Sequence, residues 1–295
     1  MNNNKLKSLL NSTRPKTLLV GISPVILGAA SAYSSNQLTF NWPIFLLTIT
    51  CTLLLQAGTN IVNEYFDFIT GVDTLERVGP KRSLLSGEIG PKVLRNFYLA
   101  CFALSFLIGT YLIAHGGTQV AIIGLTSIAI AYCYTGGPLP LSHYCLGELL
   151  AFLFFGPVAV IGTVILQNGL IDKNLILVSA IPGFISAALM SLNNLRDIKT
   201  DATTNKKTIA ILIGEKNARY FTISLGVMPL IICFFIDYTD HLWRFFLILP
   251  PLFFIPLWKL ILKNKEMADL NTGIANFGKY NVLYCLILSI SFLFK

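Results

Sequence analysis

Residues 42–67 read WPIFLLTITCTLLLQAGTNIVNEYFD, an apolar run that passes without interruption into a polar, acidic end. An apolar stretch of about 17–25 residues is long enough to cross the hydrocarbon core of a membrane as a helix. The run is continuous and does not alternate apolar with polar residues, so it predicts a helix and not a strand of a membrane barrel. This stretch therefore predicts an all-α membrane protein.

Similar runs recur along the chain, which is 54% hydrophobic and only 12% charged, against about a quarter charged in soluble domains. This composition excludes a water-soluble enzyme. The six cysteines lie mostly inside apolar runs without C-x-x-C spacing, which indicates buried thiols and not disulfides or a zinc site. We predict one domain over residues 1–295 with nine transmembrane helices, near 17–34, 42–62, 94–115, 118–134, 147–166, 174–195, 219–236, 242–262 and 277–294.

The positive charges fall mainly on one side of this predicted bundle. Of the 22 lysines and arginines, 19 lie in the N-terminal segment or in the connections after helices 2, 4, 6 and 8. The positive-inside rule therefore predicts that the N-terminus and these connections face the cytoplasm. The net charge of +8 is explained by this topology, so it gives no support to a nucleic-acid partner.

The connection after predicted helix 2 carries the first acidic cluster. Asn60, Asn63 and Asp67 have the spacing i, i+3, i+7, so on a continuing helix they form one polar stripe. Gly71 permits a turn that returns Asp73 to the same place. A solvated loop at the membrane surface is the ordinary interpretation of such charges taken one at a time.

A second acidic cluster follows predicted helix 6, where Asn193, Asp197 and Asp201 have the spacing i, i+4, i+8. The matched positions indicate a weak internal duplication, two four-helix halves followed by a ninth helix. Facing halves would gather four carboxylates, which repel one another unless cations lie between them. Mg²⁺ with a substrate phosphate satisfies this requirement. The cations available to the phosphate are Arg77, Lys81, Arg82, Arg196, Lys206 and Lys207.

At these residues the sequence resembles the UbiA superfamily of membrane prenyltransferases, whose two aspartate-rich motifs follow helices 2 and 6 of a nine-helix bundle. Asn63-x-x-x-Asp67-x-x-x-x-x-Asp73, with Tyr65, Gly71 and Thr74, is similar to the first motif. Asn193-Asn194-x-Arg196-Asp197-x-x-x-Asp201, continuing to Lys206-Lys207-Thr208, is similar to the second. The opening Arg14-Pro15-Lys16-Thr17 is similar to the opening of the family. The stretch from Tyr134 to Pro140, followed by Gly147-Glu148, is similar to the stretch most typical of the branch that uses a dihydroxynaphthoate.

The resemblance implies transfer of a polyprenyl chain from its diphosphate to 1,4-dihydroxy-2-naphthoate, with loss of diphosphate and CO₂, in the bacterial cytoplasmic membrane. It implies that Asp67, Asp73, Asp197 and Asp201 hold Mg²⁺ and, together with Tyr134, form the catalytic set. It also implies a substrate-binding set: Asn60, Asn63, Tyr65, Lys81, Arg82, Asn193, Arg196 and Lys206. In this interpretation Asn63 and Asn193 orient the metal site, the four cations bind the diphosphate, and the Tyr65 and Tyr134 rings face the prenyl cation.

The sequence departs from the family pattern at two positions. Glu64 stands where the family usually has Asp, and Asn205 stands where Gly is common. Other acceptors stay open: a 1,4-dihydroxy-6-naphthoate, 4-hydroxybenzoate, homogentisate or the vinyl group of haem. A secondary transporter also has repeated halves and acidic residues, but its ion-coupling carboxylates lie near the bilayer midplane and not at helix ends.

Overall fold

The computed structural model describes residues 3–35, 40–73, 78–237, 241–264 and 266–294. Thr74, Glu76 and Arg77 of the first acidic connection lie outside these ranges. The described chain contains twelve α-helices and no β-strand. The helices are α1 Asn3–Ser12, α2 Pro15–Ser35, α3 Trp42–Ile69, α4 Pro91–Cys133, α5 Gly147–Phe154, α6 Pro157–Leu166, α7 Lys173–Arg196, α8 Ile198–Asp201, α9 Ile209–Cys233, α10 His241–Phe253, α11 Ile255–Lys263 and α12 Leu270–Leu293.

Six segments of the described chain are long and apolar enough to span a membrane. They are α2, α3, α4, the α5–α6 pair, α7 and residues 245–263 of α10–α11. The prediction of an all-helical membrane protein is confirmed, but the predicted count of nine spans is not. The other three predicted spans are α9 and α12, which are long enough at 25 and 24 residues but are not among these six apolar segments, and one half of α4, which forms a single segment with the other half.

Helix α4 contains 43 residues, about twice the length that one crossing requires. Gly117 interrupts it with φ of 71° and ψ of −157°, a conformation that side chains with a Cβ rarely adopt. The break falls at the boundary that the sequence predicts between residues 115 and 118.

Two helix pairs carry the two acidic clusters. Helix α3 packs along α4, and α7 packs along α9, while α12 covers both α2 and α7. The first pair is held by a cluster around Ile61, Leu94 and Tyr98. The second is held by a larger core around Ile185, Leu192 and Phe277. Both acid-bearing helices are thus fixed by apolar packing, which sets the position of their polar ends.

The α5–α6 corner approaches α7 very closely. A Cβ on Gly156 would lie 2.6 Å from the Phe152 carbonyl oxygen and 2.7 Å from the Gly183 Cα. Since real Cβ atoms essentially never come so near to a backbone atom, both positions require glycine. This contact fixes the corner between α5 and α6 against the middle of α7.

Candidate active site

A cavity of about 460 Å³ opens between the two helix pairs and contacts both acidic clusters. Its wall follows α3 from Thr48 to Asp67, a distance of about 28 Å at 1.5 Å per residue. Side chains such as Leu112, Ile123 and Phe155 line its apolar part. The cavity therefore joins an apolar chamber to a charged end, a shape suited to a ligand with a greasy tail and an ionic head.

Arg82 organises the first acidic cluster. Its Nε lies 3.0 Å from Asp73 Oδ2, and its Nη2 lies 3.4 Å from Asp67 Oδ2. The same Nη2 donates to Asn63 Oδ1 at 2.9 Å. Arg82, Asp67 and Asp73 are all buried, so the pairs compensate charges that would otherwise be costly to remove from water.

Arg196 holds the second cluster in a similar way. Its Nε and Nη2 donate to the two oxygens of Asp197 at 2.8 and 2.6 Å, and Nη2 also donates to Asn193 Oδ1 at 2.8 Å. Asp201 Oδ2 lies 2.9 Å from the Lys206 ammonium. The geometry repeats between the halves: in each, an arginine binds an asparagine and the aspartate four positions later.

Glu64 is a site residue whose role the sequence does not specify. Its Oε1 accepts hydrogen bonds from the backbone N–H groups of Ser83 at 2.6 Å and Leu84 at 3.2 Å. Its Oε2 lies 3.9 Å from Arg82 Nη1, at the limit of an ion pair. Glu64 thus anchors the loop that delivers Arg82, and the extra methylene relative to Asp gives it the reach.

This geometry predicts that Glu64→Asp is more harmful than Glu64→Gln. Gln keeps an oxygen within reach of the Ser83 and Leu84 N–H groups, whereas Asp keeps the charge but is too short. We expect a loss of about tenfold in kcat/KM for Glu64→Asp, the cost of one or two hydrogen bonds to a charged group, and a smaller loss for Glu64→Gln. Steady-state kinetics of both variants provide the test; the opposite order would show that Glu64 acts through its charge.

Most of the predicted site residues line the cavity. Lys81 is an exposed residue at the charged end of the cavity. Asn60 also lines the cavity, and its Nδ2 donates to the Thr13 carbonyl oxygen at 2.8 Å. Tyr134 lines it as well, with its hydroxyl donating to Met190 Sδ at 3.3 Å.

Tyr65 is not brought to the cavity. Its ring packs against Phe66 and Tyr98, with centroids 5.2 and 5.6 Å apart. Two helix positions separate Tyr65 from both Asn63 and Asp67, which is a rotation of about 200° to the other face. The expectation that its ring faces a prenyl cation is not supported by this position.

Burial changes the titration of several groups near the charged end. It raises the pKa of Asp201, and the Lys206 ammonium opposes that rise. Burial, with a contribution from Glu148, raises the pKa of Tyr134 above its usual range, so this side chain is a neutral phenol. Burial and Lys206 lower the pKa of His143, so that imidazole is neutral at pH 7.

The charges that line the cavity nearly cancel. Five acids line it (Glu64, Asp67, Asp73, Asp197 and Asp201), as do five cations (Arg14, Lys81, Arg82, Arg196 and Lys206). A diphosphate would add several negative charges to this balanced set, and divalent cations would restore neutrality. The all-oxygen donor set suits Mg²⁺, which commonly takes one or two carboxylates together with substrate phosphate.

The four aspartates do not form a closed metal site by themselves. Within the described ranges, no three His, Cys, Asp or Glu side chains lie close enough together to hold one ion. Asp201 Oδ2 is buried, and its neighbour there is the Lys206 ammonium at 2.9 Å. The arrangement thus fits Mg²⁺ shared between carboxylates and a diphosphate, and not a preformed cage.

Two further site residues lie outside the predicted catalytic and substrate-binding sets, although Arg14 belongs to the opening motif. Asn271, on α12, accepts from Arg196 Nη1 at 2.9 Å and donates to the Val78 carbonyl oxygen at 3.1 Å, so it ties the second cluster to the first loop. Arg14 has φ of 52° and donates to Asn63 Oδ1 at 3.2 Å. A positive φ outside glycine is uncommon and often marks a functional position.

The site occurs in a chain with clear relatives. A model of the UbiA prenyltransferase family matches residues 21–280. This chain belongs to the UbiA prenyltransferase family. The 1,4-dihydroxy-2-naphthoate octaprenyltransferase of Haemophilus influenzae is 35% identical over 254 residues, which cover 84% of this chain and 82% of that protein. The protein of the same name from Escherichia coli is 31% identical, with coverage of 84% and 83%.

Solved structures of this family have the same fold. A UbiA homolog from Archaeoglobus fulgidus, solved bound to DMAPP and Mg²⁺, aligns with a TM-score of 0.71 over 97% of this chain and 99% of its own. The identity is 15%, so the likeness concerns the fold alone.

Proposed function

We propose that this protein transfers a polyprenyl chain from polyprenyl diphosphate to 1,4-dihydroxy-2-naphthoate, with release of diphosphate and CO₂, to give demethylmenaquinol, the reduced form of demethylmenaquinone. Family membership and the relatives from H. influenzae and E. coli support this activity. The observation that carries it in the structure is the pair of matched Arg–Asn–Asp groups at the charged end of an apolar cavity.

The charged end would bind the diphosphate. Asp67, Asp73, Asp197 and Asp201 would hold Mg²⁺, which when bound neutralises negative charge that develops on the leaving diphosphate. Lys81 and Lys206 would contact the diphosphate oxygens, and Arg82 and Arg196 would keep the carboxylates in place and add positive charge. Because these groups are fixed before the C–O bond breaks, little reorganisation is needed when it does.

The apolar chamber would protect the prenyl cation. Water would quench an allylic cation, and side chains such as Leu112, Ile123 and Phe155 exclude it. The neutral phenol of Tyr134 presents a π face at the junction of the chamber and the charged end. The electron-rich ring carbon of the acceptor would then form the new bond to the prenyl carbon, and the acceptor carboxylate would leave as CO₂, its C–C bonding pair staying with the ring so that the ring is again aromatic.

The distribution of lysine and arginine supports an orientation in the bacterial cytoplasmic membrane. The positive-inside rule favours a cytoplasmic N-terminus and a cytoplasmic face for both acidic clusters. Water-soluble diphosphate would then leave toward the cytoplasm, while the prenylated product stays in the bilayer. Protease accessibility of tagged N-termini in oriented vesicles reports this directly.

The activity is tested with purified protein in lipid, a polyprenyl diphosphate and 1,4-dihydroxy-2-naphthoate. We expect a prenylated, decarboxylated product by mass spectrometry with Mg²⁺, and none with EDTA. Competition against 1,4-dihydroxy-6-naphthoate and 4-hydroxybenzoate identifies the preferred acceptor. Product from 4-hydroxybenzoate alone, or undiminished activity in EDTA, would contradict the proposal.

A further inference from the structure

Three buried polar atoms on one short segment have no hydrogen-bond partner in the described part of the chain: Thr135 Oγ1, Ser142 Oγ and Glu148 Oε2. Their residues are only 7%, 8% and 4% exposed. A buried hydroxyl or carboxylate without a partner is costly and uncommon, so each such atom calls for an explanation. Three within fourteen residues point to a ligand.

The segment that carries these atoms is firmly held. Ser142 N donates to the Tyr134 carbonyl oxygen at 2.8 Å, which closes the segment on itself. Two backbone hydrogen bonds tie the segment to Lys207. Lys207 N donates to the His143 carbonyl oxygen at 3.2 Å, and Cys145 N donates to the Lys207 carbonyl oxygen at 3.0 Å. Thr135 and Ser142 therefore have fixed positions in the cavity wall, next to Tyr134.

Glu148 orients the side chain of Asn194, which is part of the cavity wall. Asn194 Nδ2 donates to Glu148 Oε1 at 3.0 Å, and Asn194 itself lines the cavity. An ionised carboxylate only accepts hydrogen bonds, so Glu148 fixes which side of the amide is the NH₂ group. The Asn194 Oδ1 is then the amide atom left for a ligand in the cavity.

We propose that Thr135, Ser142 and Asn194 form a subsite that hydrogen-bonds a ring hydroxyl of the aromatic acceptor, with Glu148 as its positioning residue. The inference rests on the proposed function. The three side chains offer hydroxyl and amide oxygens and carry no charge of their own. The subsite therefore suits a neutral hydroxyl group. The Tyr134 ring supplies an adjacent aromatic face.

The double variant Thr135→Val, Ser142→Ala tests this subsite. We expect the KM for the acceptor to rise at least tenfold and the KM for the prenyl diphosphate to change less than twofold. The thermal unfolding midpoint should stay the same or rise, because neither hydroxyl has a protein partner to lose. Ser105→Ala is the matched control: this buried serine donates to the Phe102 carbonyl oxygen, and both KM values should stay unchanged.

Glu148→Gln tests the positioning role. Gln can donate or accept, so it no longer fixes the Asn194 amide, and we expect the acceptor KM to rise three- to tenfold with the prenyl diphosphate KM unchanged. Competitive inhibition by 1-hydroxy-2-naphthoate and 2-naphthoate gives a second measurement. The wild type should prefer the hydroxylated compound, and the double variant should lose that preference.

The outcomes separate this inference from the proposed function. Wild-type protein that fails to prenylate 1,4-dihydroxy-2-naphthoate overturns the proposed function, and the subsite is then measured with whichever hydroxylated acceptor is used. Wild-type activity with an unchanged acceptor KM in the double variant overturns the subsite alone. Equal increases in both KM values, or retained preference for 1-hydroxy-2-naphthoate, also overturn it.

Discussion

Asp67→Asn and Asp197→Asn should each reduce prenyl transfer by at least about a hundredfold, the usual loss when one fixed electrostatic contact to a developing charge is removed. Each substitution keeps the size of the side chain and removes the negative charge that would hold Mg²⁺. Arg196 loses its paired carboxylate in Asp197→Asn, whereas Arg82 keeps Asp73 at 3.0 Å in Asp67→Asn. Initial rates of lipid product formation over a range of Mg²⁺ concentrations measure the effect.

The matched control for these variants is Glu215→Gln. Glu215 pairs with Arg219 on α9, is largely exposed and does not line the cavity. We expect its activity to stay within twofold of wild type. Membrane insertion and the elution profile in detergent should be unchanged for all three variants. Full activity in Asp67→Asn and Asp197→Asn would remove the metal-site hypothesis.

Much of the fold follows from hydropathy because each helix must satisfy its backbone inside the bilayer. The break in α4 is predictable, since an apolar run of this length exceeds one crossing and Gly117 can turn. The α5–α6 corner at Gly156 is not, because it depends on the close approach of Gly183 from a distant helix. Sequence periodicity does not contain such tertiary contacts.

The acidic stripes of the site are predictable because helical spacing places Asn63 with Asp67, and Asn193 with Asp197, on one face. The same rule places Tyr65 on the opposite face of the helix, where its ring packs against Phe66 and Tyr98.

The remaining site contacts do not follow from helical spacing in the sequence. Glu64 binds backbone N–H groups about twenty positions away, and Asn271 bridges to Arg196 from the last helix, which carries no motif. Arg14 depends on a backbone angle that the sequence does not reveal. Asn271 links the second cluster to the first loop, Glu64 and Arg14 link segments within the first half, and only the packed structure shows these partners.

Arg196→Ala should weaken use of the prenyl diphosphate at least about a hundredfold in kcat/KM. Arg196 donates to Asp197, Asn193 and Asn271 at once, so its removal releases all three and takes away the bidentate partner of the buried Asp197 carboxylate. Loss of one partner from a buried pair costs about 3–5 kcal/mol, which is enough to lower stability as well. A second substitution must therefore separate folding from chemistry.

Arg196→Lys provides that separation. Lys keeps the positive charge, but a single ammonium group cannot reproduce the planar fork that reaches three partners. We expect it to fold and to recover at most about tenfold of the activity lost in Arg196→Ala, with the defect in the KM for prenyl diphosphate. Arg219→Lys is the matched control, since Arg219 is also buried and paired but lies outside the cavity. Wild-type kinetics in Arg196→Lys would show that positive charge alone is enough at this position. An equal loss in Arg219→Lys would show that reduced stability explains the effect. Either result would contradict a role for the geometry by which Arg196 binds Asp197 and its other two partners.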